Sequence, residues 1–246
     1  MLLLTIIAIP SMDADNKVLD VSALIGAGDW KIRGDIMGFS VETLVVGPIE
    51  ENCYVLKDEE TGHGLIIDPG DNGQEILAYV RDNHIEVDLI VNTHGHWDHI
   101  GAVDFLRDAL QVKLAIHGED ASMLTATREE MAAYSIFAGG KRPAEILLKD
   151  GDTVKFGHCS LQVMHTPGHT KGGICLYGGG CLFSGDTLFA GSVGRTDLPG
   201  GDYREMLDSV RSKLKSVVDD TKVYPGHGPA TSMGRERRCN PYLQER

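Results

Sequence analysis

Basic residues are scarce in this chain: 23 Lys and Arg stand against 36 Asp and Glu, a formal charge of −13 over 246 residues. Sequence-independent nucleic-acid binding depends on neutralising phosphates, so an acidic chain without a basic cluster is not expected to bind DNA or RNA. The apolar start, residues 2–9, falls far short of the roughly 20 residues a helix needs to cross a bilayer, and no membrane association is expected. It also has neither a positive flank nor a small-x-small cleavage site. No Cys-x-x-Cys pair occurs, and the odd set Cys53, Cys159, Cys175, Cys181 and Cys239 cannot pair fully. These read as free thiols in a reducing, cytoplasmic setting, mostly in apolar strand-like runs, with Cys239 the accessible one. Interior Pro/Ser-rich linkers, low-complexity tracts and repeats are missing. That pattern points to one domain over residues 39–246, preceded by an extension, 1–38, of unassigned role.

What is present suits a folded enzyme. The apolar share, 42%, is enough for a substantial core, and the 30 glycines suit many turns between short strands. Strands are expected at 41–46, 52–57 and 64–68, the first two forming a hairpin around Gly47-Pro48-Ile49-Glu50. A helix over 73–83 would bury Ile76, Leu77 and Val80. An apolar strand at 87–92, a helix over 100–110, a strand at 113–116 and a short helix after Glu119 follow. A second strand-rich run starts near Thr153. A helix over 203–217 presents Met206, Leu207, Val210 and Leu214 on one face. Residues 125–145 lack clean periodicity and are expected to form a helix-containing lid or substrate loop. Periodicity alone yields mixed α and β.

The chemistry is concentrated in Thr93-His94-Gly95-His96-Trp97-Asp98-His99, between an apolar strand and a helical pattern. A loop leaving a strand to open a helix can gather several side chains around one point. Imidazole and carboxylate together suit zinc, iron or manganese. Further candidates follow short β-like segments beside Gly or Pro: His169 in Thr166-Pro167-Gly168-His169-Thr170, Asp186 in Ser184-Gly185-Asp186-Thr187, and His227 in Tyr224-Pro225-Gly226-His227-Gly228. Singly, His169 reads as a turn residue and Asp186 as a helix N-cap. Jointly, they make a dinuclear metal site the economical explanation.

The ordered set of His94, His96, Asp98, His99, His169, Asp186 and His227 resembles the metallo-β-lactamase-fold hydrolases. Ser184-Gly185-Asp186-Thr187-Leu188-Phe189 and Gly194-Arg195-Thr196-Asp197 are similar to the branch of hydroxyacylglutathione hydrolase (glyoxalase II). The resemblance spans roughly residues 39–243. It implies an α/β, four-layer αββα sandwich of two mixed sheets with outer helices and the metals at one edge. It also implies two divalent ions, zinc first, with iron or manganese accepted. His94, His96 and His169 would hold one ion, Asp98, His99 and His227 the other, with Asp186 bridging.

The activity so implied is thioester hydrolysis, with a small-molecule substrate of the S-acylglutathione type. Asp98 would orient the attacking water and Asp186 would fix the metal spacing. Asp68, in Ile66-Ile67-Asp68-Pro69-Gly70, is expected to support the metal loop through hydrogen bonds. Arg195 is the candidate for binding a substrate carboxylate, the alternative being an ion pair with Asp197. Phe189 and residues 190–194 are expected to line the pocket, with Tyr134, Lys141 and Arg142 as weaker candidates. Two features depart from glyoxalase II: only residues 228–246 follow the last histidine, and Gly228-Pro229 stands where that family has Glu-Tyr. Two alternatives share the fold. One is a persulfide dioxygenase with a single iron on His94, His169 and Asp186, although such enzymes carry Pro-Ala-His-Asp near the last histidine. The other is a metal-stabilised protein without catalysis.

Overall fold

The computed structural model describes residues 38–126 and 141–244. The amino-terminal extension lies outside them apart from Gly38, as do most of the expected lid and Tyr134.

Six strands form the first sheet in sequence order: β1 (Phe39–Val46), β2 (Glu51–Asp58), β3 (His63–Ile67), β4 (Glu86–Val91), β5 (Lys113–His117) and β6 (Ile146–Leu148). β1, β2 and β3 are antiparallel neighbours, whereas β3 to β6 run parallel. The parallel pairs require crossovers, which α1 (Gly73–Asp82) provides between β3 and β4 and α3 (Val103–Leu110) between β4 and β5. Strands so placed must bury both faces, and β3 does: Leu65 and Ile67 point into the space between the sheets while Ile66 faces the helices. α1 meets that outer face with Ile76, Leu77 and Val80, as its periodicity requires.

The second sheet collects the later strands in the order β14 (Thr231–Ser232), β13 (Lys222–Pro225), β10 (Cys181–Gly185), β9 (Ile174–Gly178), β8 (Cys159–His165) and β7 (Thr153–Phe156). Only β10 and β13 pair in parallel. The short strands β11 (Leu188–Phe189) and β12 (Ser192–Val193) make a separate hairpin. Between the sheets, Leu89, Val91 and Leu148 meet Phe156, Leu161 and Phe183 in one apolar layer. Outside the second sheet, Met206 and Val210 of α5 (Tyr203–Arg211) and Met233 of α6 (Met233–Cys239) cover Cys175, Leu182 and Val223. The result is the expected order of helix, sheet, sheet, helix. Burying each large aliphatic side chain contributes roughly 1.5–3 kcal/mol, so these layers dominate the stabilisation.

The helix expected over 100–110 is instead α2 (Trp97–Ile100), a break, and α3. At the break, a Cβ on Gly101 would fall 1.9 Å from the Gly70 carbonyl, so the chain turns where two backbones touch. The helix expected over 203–217 ends at Arg211 and passes into a 3₁₀ turn, Lys213–Ser216. Lys113–His117 extends one residue beyond the expected strand and α4 (Ala121–Leu124) follows Glu119 as expected. Cys53, Cys175 and Cys181 are buried and form no disulfide among the described residues, Cys159 is half-buried, and Cys239 is exposed.

At the end of the sandwich away from the β3 and β4 carboxyl termini, Asp58 ties the sheets together. Its carboxylate accepts from Glu60 N (2.9 Å), Thr61 Oγ1 (2.8 Å) and, across the layers, His158 N (2.7 Å). Burial alone would raise this carboxyl, but those donors hold its pKa down to about 2. A depressed carboxylate stabilises the fold above its unfolded pKa, and that contribution disappears as pH falls through about 2. Asp58→Asn is therefore expected to cost about 1–3 kcal/mol at pH 7. In urea unfolding series on both proteins, the gap should hold from neutrality to pH 5 and narrow towards pH 2.

Candidate metal centre

Four strands deliver their carboxyl ends to one rim. β4 leads into residues 92–99, β8 into His169, β10 into Asp186 and β13 into His227. The structure brings all seven predicted side chains together. The donor atoms of His94, His96 and His169 lie within 4.8 Å of one another, and so do those of Asp98, His99 and His227. His96 Nδ1 stands 2.8 Å from His169 Nε2, and His227 Nε2 stands 3.1 Å from Asp98 Oδ2. Asp186 touches both groups. Its Oδ1 is 3.4 Å from His99 Nε2, while Oδ2 is 3.4 Å from His169 Nε2 and 3.9 Å from His227 Nε2.

The local charge balance favours cations. Burial, with His99 and the other ring neighbours, pushes His94 far down, and burial with His169 beside it lowers His96 to about 3. Both rings therefore stay neutral and keep a lone pair. For His99 burial acts downward, but Asp98, Asp68 and Asp186 overcome it and raise the ring's pKa. For Asp186 burial acts upward, and His99, His169 and His227 overcome it, holding the carboxylate ionised.

The donors also fit a metal by a separate criterion. His94 Nε2, His96 Nε2, His99 Nε2 and Asp186 Oδ1 are all buried and have no hydrogen-bond partner among the described residues. Polar atoms left so are costly, and cations held by the two groups would satisfy them. Small backbone keeps the space open: a Cβ on Gly226 would stand 2.3 Å from Asp186 Oδ1 and 2.8 Å from the His99 ring.

Asp68 holds the histidine loop. Its carboxylate accepts from Thr93 N (2.6 Å), Thr93 Oγ1 (2.6 Å) and Asn92 Nδ2 (3.2 Å), and meets His99 Nδ1 at 3.0 Å. His169 Nδ1 donates to the Arg195 carbonyl at 2.7 Å, which turns Nε2 towards the centre. The His227 loop is pinned from β2: Asn52 Nδ2 donates to the Pro225 and Gly228 carbonyls at 2.9 Å, and the Tyr54 hydroxyl to Pro225 at 2.6 Å.

Two buried acids escaped the sequence reading. Asp120 accepts from Gly95 N (3.1 Å) and Gly172 N (2.6 Å), joining the two histidine loops. Its only signal was a polar cluster at a strand end. Glu51 is 1% exposed, lies 3.6 Å from His99 Nδ1, and neither of its oxygens has a hydrogen-bond partner among the described residues. A glutamate in Glu50-Glu51-Asn52 reads as a solvated turn, so no signal marked it.

The other predicted residues divide. The Phe189 ring lies edge-on to His227, with centroids 6.3 Å apart. The exposed Arg195 guanidinium takes the alternative pairing, with Asp197 at 2.7 and 2.8 Å. Lys141 donates to the Gly101 carbonyl, and Arg142 pairs with Asp104 and Asp108 on α3, so both brace that helix.

Two mixed sheets, outer helices and a His/Asp cluster at one rim define a metallohydrolase-type sandwich. A family model of the metallo-beta-lactamase superfamily matches residues 46–227, and the chain belongs to that superfamily. The hydroxyacylglutathione hydrolase GloC of Haemophilus influenzae is 30% identical over 211 residues, covering 84% of this chain and 99% of its own. The BLEG-1 B3 metallo-beta-lactamase is similar with a TM-score of 0.79 and 33% identity, over 84% of this chain and 100% of that one. TTHA1623, solved in a di-iron-bound form, has a TM-score of 0.73 and 38% identity, over 82% of this chain and 100% of its own.

Close backbone contact under the loop generates a prediction. A Cβ on Gly70 would fall 1.6 Å from the Asp98 carbonyl oxygen and 2.8 Å from Glu51 Oε2, whereas one on Gly118 would meet nothing within 4 Å. Gly70→Ala should destabilise by about 1–3 kcal/mol and displace Asp98. Gly118→Ala should stay within about 0.5 kcal/mol of the parent. Thermal unfolding together with metal content per chain checks both: Gly70→Ala should lose bound metal and Gly118→Ala should keep it.

Proposed function

We propose that this chain is a dinuclear metal-dependent hydrolase acting on thioesters of the S-acylglutathione type. The observation that carries the reading is Asp186, whose carboxylate reaches both groups: Oδ2 lies between His169 and His227, and Oδ1 lies beside His99, a placement that suits a bridging ligand. His94, His96 and His169 would hold one ion, and Asp98, His99 and His227 the other. Bound there, divalent ions (zinc first, iron or manganese equally compatible with the donors) lower the pKa of water and offer positive charge to a developing oxyanion.

The chain's own groups do the rest. Asp98 Oδ2, beside both His227 and His99, accepts a proton from attacking water and orients it. Phe189 forms an apolar wall beside His227. Arg195, freed from Asp197, would receive a substrate carboxylate with its paired N–H groups. A thiolate leaves readily, so the reaction needs little help from a general acid. The thioester assignment is supported by the similarity to a hydroxyacylglutathione hydrolase, and the two-ion assignment by the similarity to a di-iron-bound structure. The substrate is a soluble small molecule in this reading, and the setting is cytoplasmic.

A second reading uses a subset of the same side chains: His94 and His169 have ring centroids 4.9 Å apart, and Asp186 Oδ2 lies 3.4 Å from His169 Nε2. Those three alone suit a single iron and persulfide oxidation.

Metal content per chain on anaerobically purified protein decides between them, combined with S-lactoylglutathione hydrolysis, nitrocefin hydrolysis and oxygen uptake on glutathione persulfide. Two ions with thioester turnover are expected. One iron with persulfide-dependent oxygen uptake defeats the proposal, as does faster turnover of nitrocefin than of thioester. Asp186→Ala should abolish hydrolysis while circular dichroism stays unchanged, and retained activity with two tightly bound ions would remove the bridging role. Arg195→Ala should raise KM about 5-fold for acidic thioesters, the ~1 kcal/mol of an exposed charged contact, and leave neutral ones unaltered.

A further inference from the structure

Apart from the centre described above, one other group of metal-ligating side chains draws together among the described residues. One donor atom each from His117, Glu119 and His165 lies within 4.8 Å of the others. They sit on the same rim, further along: His117 ends β5, the neighbour of β4, and His165 ends β8, four residues before His169. The two imidazoles stack nearly parallel, with centroids 4.1 Å apart and planes at 12°. Glu119 Oε2 is 3.7 Å from His165 Nε2. They adjoin an open cavity of about 480 Å³ whose lining includes Glu119, His165, Lys171, Asp202 and Glu205. Carboxylates outnumber the single lysine there, so the cavity favours a cation.

We propose that His117, Glu119 and His165 form a separate site for a divalent transition-metal ion of the zinc type. Two imidazoles and a carboxylate suit zinc and its borderline neighbours, whereas calcium and magnesium prefer all-oxygen shells. His117 is the fixed member, 7% exposed; burial with His165 beside it lowers its pKa, and the ring's lone pair would exchange its long 3.4 Å contact with the Glu119 N–H for the ion. Glu119 and His165 are the adjustable members, with side chains 58% and 22% exposed.

Adjustment is required. Zinc–nitrogen bonds of about 2.0–2.1 Å draw the donors closer, and parallel stacked rings cannot aim their lone pairs at one point. His165 therefore turns out of the stack on binding, giving up its 2.8 Å contact with the Lys171 carbonyl. His169, in the same loop as Lys171, keeps a separate tie through its hydrogen bond to the Arg195 carbonyl.

The test is equilibrium dialysis of the full-length, metal-loaded chain against Zn²⁺, with metal content read by mass spectrometry. Wild type should take up one further ion per chain, saturably, above its loaded content. His165→Ala, at a half-buried position, and Glu119→Gln, at an exposed one, should lose that increment while keeping the loaded content. Visible absorption during a Co²⁺ titration should show a band set for the additional ion in wild type that both variants lack. No increment in wild type, or one that persists in both variants, overturns the site. So does a parallel fall in loaded content, which would make these residues supports of the His169 loop. Because only the increment is read, the result is independent of whether the main centre proves to hold two ions or one.

Discussion

The structure turns on one buried carboxylate. Asp68 leaves β3 in a left-handed conformation, φ +50°, and grips the Thr93 N–H, the Thr93 hydroxyl, the Asn92 amide and the His99 ring. A non-glycine residue in that region is strained, and the strain persists where surrounding contacts over-determine it. Four charge-assisted contacts at about 2.6–3.2 Å do so here. They convert the end of a strand into a rigid mount. Asp120, beyond β5 and two strands along, also accepts from backbone, taking Gly95 N–H and Gly172 N–H and so locking the loop from the first sheet to the loop from the second. The metal-side rim is therefore held by carboxylates that contribute no donor of their own to either predicted metal group.

Backbone space is the second half of the mount. Gly70, Gly101 and Gly226 lie where a Cβ would enter the Asp98 carbonyl, the Gly70 carbonyl and the Asp186 carboxylate respectively. Chains this close bring His99 into the centre from α2 rather than from a longer, continuous helix. The break at Gly101 is thus part of the site's construction. Periodicity could not show it, because Ile100, Val103 and Leu106 keep the helical spacing across the break and pack on the same face.

The same contrast explains what was legible in the sequence and what was not. The strands and outer helices could be read from alternation and stripes, because solvent on one side and core on the other impose a period. The seven clustered side chains could be read because His, Asp, Gly and Pro at strand ends have few other reasons to coincide. Glu51 could not: its chemistry depends on the Glu51–His227 bridge and on the approach of Gly70, both long-range contacts invisible to local pattern. Arg195 was legible as a functional candidate but not in its geometry, since a substrate carboxylate and Asp197 could each claim the guanidinium and only the fold shows that Asp197 holds it. Residue 211 as the end of α5 was equally hidden, because Leu214 continues the apolar face through a 3₁₀ turn.

A centre built this way separates reactivity from selectivity. The donors are fixed by strand ends, buried acids and glycine contacts, and changing any one disturbs the others. The elements beside the opening are built differently. The β11–β12 hairpin is tied back at Gly191 N–H by Glu236 and at the Ser192 carbonyl by Asn240, both on or next to α6. Arg195 and Asp197 form an exposed pair on the strand-free stretch after it. Substitutions there leave the donors in place, so one scaffold can serve different substrates without rebuilding its chemistry. Family membership therefore speaks to the rim, while in the proposed reading a hairpin and one exposed ion pair would set the substrate. The exchange of Asp197 for a substrate carboxylate on Arg195 is the step at which an acidic thioester would be distinguished from a neutral one. Both partners of that pair are solvent-exposed, so such an exchange would cost little desolvation and would suit a contact that forms and breaks at every turnover.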